Sequence, residues 1–156
     1  MNPFRIFAIA AVASAGAAVP AIAQDPSAAS LNGELNLSAG FPNDPRVIDV
    51  AAGGTIDASR LGGNCRGVVA NNPDFKVSYS AGSLPLIISV DSKADTTLVI
   101  NGPDGRWYCD DDGGNGVNPS IRFNNPQSGR YDIFVGTYSA GSPQPARLFI
   151  SEVSSR

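Results

Sequence analysis

Thr96-Thr97-Leu98-Val99-Ile100-Asn101-Gly102-Pro103-Asp104-Gly105-Arg106-Trp107-Tyr108-Cys109-Asp110 holds two β-rich runs on either side of Gly102-Pro103-Asp104-Gly105. Pro pre-sets φ and Gly accepts the positive φ of a tight reversal, so the segment reads as a hairpin. The same pattern repeats outward from it. In Asp74 to Ser80, Phe75, Val77 and Tyr79 fall on one face while Lys76, Ser78 and Ser80 fall on the other. In Gly129 to Thr137, Tyr131, Ile133 and Val135 alternate with Arg130, Asp132 and Phe134. Period two predicts strands buried on one face only. Further strand candidates are Glu34 to Leu37, Arg46 to Val50, Gly54 to Ala58, Arg66 to Ala70, Pro85 to Val90, Ser120 to Asn124 and Ala146 to Glu152. No stretch has convincing helical periodicity. Many short strands punctuated by Gly and Pro predict an all-β fold, an antiparallel two-sheet β-sandwich of jelly-roll type.

The chain has 156 residues, 42% apolar and 16% charged, which suits one globular domain. It contains no histidine. Ser-His-Asp and Cys-His nucleophiles, HExxH zinc sites and imidazole proton shuttles are therefore excluded within this polypeptide. Met1-Asn2-Pro3-Phe4-Arg5, the apolar run Ile6 to Val19 and the small-residue site Ala21-Ile22-Ala23 have the form of a secretory signal peptide over residues 1–23. The run is shorter than the roughly 20 residues of a spanning helix, so no integral membrane segment is expected after cleavage. Residues 24–32 then read as a small-residue linker, and 33–156 as a single sandwich domain in the periplasm or the medium. Removing residues 1–23 leaves 133 residues with ten Lys and Arg against 14 Asp and Glu. Mild acidity without a basic stripe disfavours nucleic acid.

Cys65 and Cys109 are the only cysteines. In an exported domain an even count reads first as one disulfide, worth roughly 4 kcal/mol in the loop-entropy model. Two thiols so far apart and without histidine are a poor zinc set, and they form no CxxC redox pair.

Four pieces in order carry a resemblance: Asp95-Thr96-Thr97-Leu98, the Pro103-Asp104-Gly105 turn, Asp111-Asp112-Gly113, and Gly129-Arg130-Tyr131 leading to a last strand. With these the chain, from about Val47 to Ser151, resembles the bacterial pre-peptidase C-terminal domain. The resemblance implies a jelly-roll sandwich of the kind appended to secreted proteases and removed or used as a targeting or binding module. It does not imply a catalyst. No peptidase is expected ahead of the domain here, and the Cys65 and Cys109 pair is not part of the general family pattern, which suggests a stand-alone variant.

Asp110, Asp111 and Asp112, with Asp95 approaching across the hairpin, are the candidate calcium ligands, since calcium favours several hard oxygens on a flexible loop. The alternative is that contiguous Asp side chains serve turns through local hydrogen bonds. Arg106, Trp107 and Asn115 are the candidate binding residues beside that loop. Trp107, Tyr108, Tyr131, Phe134 and Tyr138 are an aromatic platform on one reading and core filling on the other. Lys76 and Lys93 are the only bases for a Ser-Lys system, and nothing in the sequence sets the separation of a carboxylate pair such as Asp111 and Glu152. Asn36-Leu37-Ser38 matches a glycosylation sequon. Tyr79-Ser80-Ala81-Gly82-Ser83 recurs as Tyr138-Ser139-Ala140-Gly141-Ser142, either as two equivalent loops or as two strand-exit turns. The expected function is a secreted or periplasmic, non-catalytic module that contacts a protein, peptide or glycan through its loops. The rival expectation is an accessory or inhibitory partner of a separate secreted protease.

Overall fold

The computed structural model describes residues 24–156, so the expected signal peptide lies outside the described residues. Eleven strands follow in chain order. They are β1 Glu34–Ser38, β2 Arg46–Ala52, β3 Ile56–Asp57, β4 Val68–Val69, β5 Phe75–Ser80, β6 Leu86–Ser92, β7 Thr96–Asn101, β8 Trp107–Asp110, β9 Ser120–Phe123, β10 Gly129–Thr137 and β11 Gln144–Ser151. A 3₁₀ turn, Ala58–Leu61, follows β3. Seven strands make one sheet, in which β10 pairs with β5, β4 and β7, while β8, β1 and β3 extend the edges. The other sheet has the order β2-β11-β6-β9. The chain crosses repeatedly from one sheet to the other, giving the expected two-sheet sandwich.

Period two places the core. Leu98 and Ile100 of β7, Val77 and Tyr79 of β5, and Tyr131, Ile133 and Val135 of β10 face Leu86, Ile88 and Val90 of β6 and Leu148 and Ile150 of β11. Each such aliphatic side chain contributes about 1.5–3 kcal/mol when fully buried. The Thr96 to Asp110 hairpin forms as expected: Gly102 N–H donates to Arg106 O at 2.9 Å, and Gly105, at φ 74°, donates to Gly102 O at 2.9 Å.

Three expectations change. First, the sandwich is not wholly antiparallel, because β1 pairs with β5 in parallel. No hairpin joins them; β2, β3 and β4 intervene, so the connection imposes no direction on the pair. Second, the strands expected at 54–58 and 66–70 shrink to β3 and β4. Their backbones come so close to their neighbours that a Cβ on Gly54 would lie 2.0 Å from Val69 C, and one on Gly136 would lie 2.3 Å from Val68 O. Third, the outer face of the larger sheet does not meet water as simple alternation implied. Phe134, Val99 and Val69 are wholly buried there in a second apolar cluster with Ala58 and Cys65, against which Leu61, Trp107 and Cys109 pack. The flap 58–67 covers this cluster, and the disulfide from Cys65 to Cys109, Cα atoms 4.9 Å apart, ties it to β8.

The other half of that face lies beside residues 24–32. This segment is fastened rather than free: Asp25 N–H donates to Asn71 O, Leu31 N–H to Pro73 O and Asn32 N–H to Asp74 O, all within 2.9 Å. Lys76 is buried on this face, 3.7 Å from Asp132, whose carboxylate also meets Arg130 at 2.9 Å. Burial raises the Asp132 carboxyl above its ordinary value, and Arg130 and Lys76 pull the other way.

Asp74 completes the central strand. β5 pairs with β10 only as far as Ile133, and β4 joins at Thr137. In the gap, the Asp74 carboxylate accepts Val135 N–H at 2.7 Å, Asp74 N–H donates to Ile133 O at 2.7 Å, and Gly53 N–H donates to Val135 O at 3.0 Å. Asp74 is 1% exposed, and burial pushes its carboxyl up to about 7 against the opposing pull of Val135 N–H. The folded protein therefore holds this proton at pH values where the unfolded chain, with an ordinary carboxyl near 4, has released it. Stability associated with Asp74 is complete below about pH 4 and is lost as pH rises through about 7. Asp74→Asn keeps an acceptor for Val135 without the charge, so its stability relative to wild type should grow between pH 4 and 8 by up to a few kcal/mol. Urea midpoints across that range measure it; a constant difference would show that the carboxyl ionises in the fold without cost.

Candidate functional site

Loops 93–95, 111–119 and 138–143 gather at one end of the sandwich. Asn118 holds the first two together: its Oδ1 accepts Thr96 Oγ1–H at 2.7 Å, and its Nδ2 donates to Ser92 O at 2.9 Å and Asn115 O at 3.4 Å. Thr96 N–H donates to Val117 O, and Tyr138 N–H donates to Asp95 O at 3.0 Å. Asn118 was not among the residues singled out from sequence; the Asn-Pro pair it forms with Pro119 was the available signal, since that pair marks turns. The staple brings Asp95 towards the acidic loop. Partial desolvation, then the neighbouring charges of Asp112 and Asp111, raise the Asp95 carboxyl. Val117 and Tyr138, each nearly half exposed, stand at the same end.

Two of the other predicted site residues, Arg106 and Trp107, separate from this group. Arg106 lies in the β7–β8 turn, at the opposite end of β8 from Asp110. Its N–H donates to Asp104 Oδ1 at 3.1 Å, and its guanidinium stands 3.7 Å from that carboxylate. Tyr108 Oη–H donates to Asp104 Oδ2 at 2.7 Å, and this bond is the largest of the influences holding the Asp104 carboxyl below its ordinary value. Trp107 packs beneath the flap with its ring 5.7 Å from Phe134, half-buried against the second cluster. Asn115 stays at the acidic end, where its N–H donates to Arg156 O at 3.1 Å.

The calcium set does not assemble. Asp110 Oδ2 already accepts Gly113 N–H at 2.7 Å and Ser120 N–H at 2.8 Å, which makes it the organiser of its own turn. Among the described residues no three His, Cys, Asp or Glu side chains come together as a metal site. The aromatic platform does not assemble either. Tyr108 and Tyr131 of the larger sheet stack edge-to-face on Phe123 of the smaller one, between the sheets, at centroid distances of 5.0 and 5.2 Å, while Trp107 and Phe134 lie on the outer side of the larger sheet. Tyr79 and Tyr138 of the five-residue echo are not equivalent. Tyr79 is buried and donates its Oη–H to Glu152, whereas Tyr138 is exposed. Glu152 lies beyond the far end of β11, so it and Asp111 stand at opposite ends of the sandwich.

Beside the acidic end, the outer face of the smaller sheet carries a groove of about 730 Å³ lined by Asp49, Asp91, Lys93, Gln144 and Arg147 among others. Arg147 sits in register with Asp49 on one side and Asp91 on the other, and pairs with Asp91. Its guanidinium lies 5.4 Å from the Phe149 ring centroid, and that of Arg156 lies 5.5 Å from the same ring. Opposite charges thus meet within the groove, whereas at the loop end Asp95, Asp111 and Asp112 outnumber Lys93.

Residues 72–137, from just before β5 to the end of β10, match the family model of the bacterial pre-peptidase C-terminal domain. The match takes in the central strand, the hairpin and the acidic loop. No curated protein matches the chain.

Asp110→Ala removes one acceptor from two backbone donors and should cost about 1–3 kcal/mol, equally in calcium and in chelator. Chemical denaturation under both conditions checks this; a cost that appears only with calcium present would make Asp110 a ligand instead.

Proposed function

We propose, with that family match as premise, that the chain acts outside the cytoplasm as a non-catalytic binding module. Its contact surface is the loop end that carries Asp95, Asp111, Asp112, Val117 and Tyr138. The observation that supports this most is that Asp95, whose carboxyl feels the charges of Asp112 and Asp111, shares one end of the sandwich with two half-exposed apolar side chains, on loops tied together through Asn118 and the Asp95 backbone. Acidic groups crowded at a rim favour cationic partners and are screened by salt, and an aromatic with a neighbouring aliphatic supplies the apolar anchor of a small interface. The partner is a protein or peptide that presents Arg or Lys; a glycan surface is the less favoured ligand, because no pair of aromatic faces lies open at this end.

Export is supported by the Cys65–Cys109 disulfide, a bond typical of oxidising compartments, and by the signal-like residues 1–23. No helix among the described residues is long and apolar enough to cross a membrane. A non-catalytic role agrees with a chain that has no histidine and whose Lys76 is committed to a buried ion pair. The pre-peptidase character of the matched family favours a secreted peptidase as the partner, met as a separate chain that this module assists or inhibits.

Affinity capture from the extracytoplasmic fraction tests the proposal with wild type and the triple variant Asp95→Asn, Asp111→Asn, Asp112→Asn. A partner held by wild type, released by raised salt and lost by at least tenfold from the variant is the expected result. Equal retention by both proteins would move the contact elsewhere, and turnover of a substrate by the purified chain would overturn the non-catalytic reading.

A further inference from the structure

We propose that the exported chain begins at Gln24 and that this residue is closed to pyroglutamate, making the N-terminus a site of covalent modification. The inference rests on the export reading, since cleavage after Ala21-Ile22-Ala23 is what creates an α-amine on Gln24. The structure adds what happens to that residue next. Gln24 is 6% exposed, and its side-chain Nε2 is buried without a hydrogen-bond partner. A buried amide donor with nothing to receive its protons is destabilising.

The neighbouring residues hold the position in place. Asp25 N–H donates to Asn71 O at 2.9 Å, and the Asp25 carboxylate accepts Ser27 N–H at 2.9 Å and Ser27 Oγ–H at 2.6 Å. Asn72 Nδ2 donates to Ala29 O at 2.9 Å, and Arg130 reaches Pro26 O. Residue 24 is therefore the start of a docked strap.

Cyclisation removes the orphaned amide nitrogen with no co-reactant. The lone pair of the α-nitrogen attacks the side-chain Cδ, forming the new N–C bond. The Cδ–Nε2 bond then breaks, and Nε2 leaves as ammonia with one proton taken from the α-nitrogen. The product is a five-membered lactam with one N–H and one new ring carbonyl. The atom expelled is the unpartnered nitrogen, and the terminal positive charge disappears with it.

Intact mass measurement and N-terminal sequencing of the exported protein test this. The expected mass is that of residues 24–156 less one ammonia and less the two hydrogens of the disulfide, with the N-terminus refractory to Edman degradation until a pyroglutamyl peptidase acts on the denatured chain. Gln24→Ala should be exported and read normally from its first residue. A chain that starts at Gln24 and keeps its ammonia through prolonged neutral incubation would overturn the cyclisation and leave export standing. A chain that starts at Met1 would overturn both.

Discussion

Both edges of β10 must be satisfied, and much of the structure follows from that constraint. A strand buried on both faces cannot leave amide groups unpaired, because each one withdrawn from water without a partner is costly. On one side β7 runs beside it from Thr96 to Asn101 without a break. On the other side three different pieces of chain share the work: β5 up to Ile133, the Asp74 carboxylate and Gly53 at Val135, and β4 at Thr137. A side chain replaces a backbone group in that ladder, and the close approach of β3 and β4 is open only to Gly54 and Gly136.

That arrangement leaves the larger sheet with an outer face that also has to be covered. The flap 58–67 covers one half over Phe134 and Val99, and the disulfide anchors it where a 3₁₀ turn and two two-residue strands have little pairing of their own. The segment 24–32 lies along the other half, where the Asp132 carboxylate meets both buried Lys76 and half-exposed Arg130, since burial makes an unpaired charge expensive. The surface left for a partner is then the loop ends and the outer face of the smaller sheet. Of these, the end stapled by Asn118 has three carboxylates against one lysine, with open apolar side chains at the same end, which is why the functional reading rests there.

Much of the fold was legible locally. Gly129 to Thr137 and Thr96 to Asn101 have the same limits in sequence and in structure, because period-two alternation and Gly/Pro turns are properties of neighbouring residues. The candidate site was legible only in part. Asp95 does approach Asp111 and Asp112, as the hairpin suggested, yet Arg106 sits at the far end of β8 and Trp107 lies on the outer face beneath the flap. Adjacency in sequence along a strand separates residues by about 3.3 Å per step, so a list of near neighbours can span a whole domain.

By itself the sequence determined the strands, the central hairpin, the absence of imidazole chemistry and a single pair of cysteines, since each depends on residue type and short spacing. Tertiary structure alone decided that β1 lies parallel to β5, that Phe134 and Lys76 are buried, that Asp110 serves its own turn and that Asn118 ties the acidic loop to the β6–β7 connection. These depend on which distant segments come together, and that is set by the whole chain burying its apolar surface and pairing its backbone at once rather than by any local pattern.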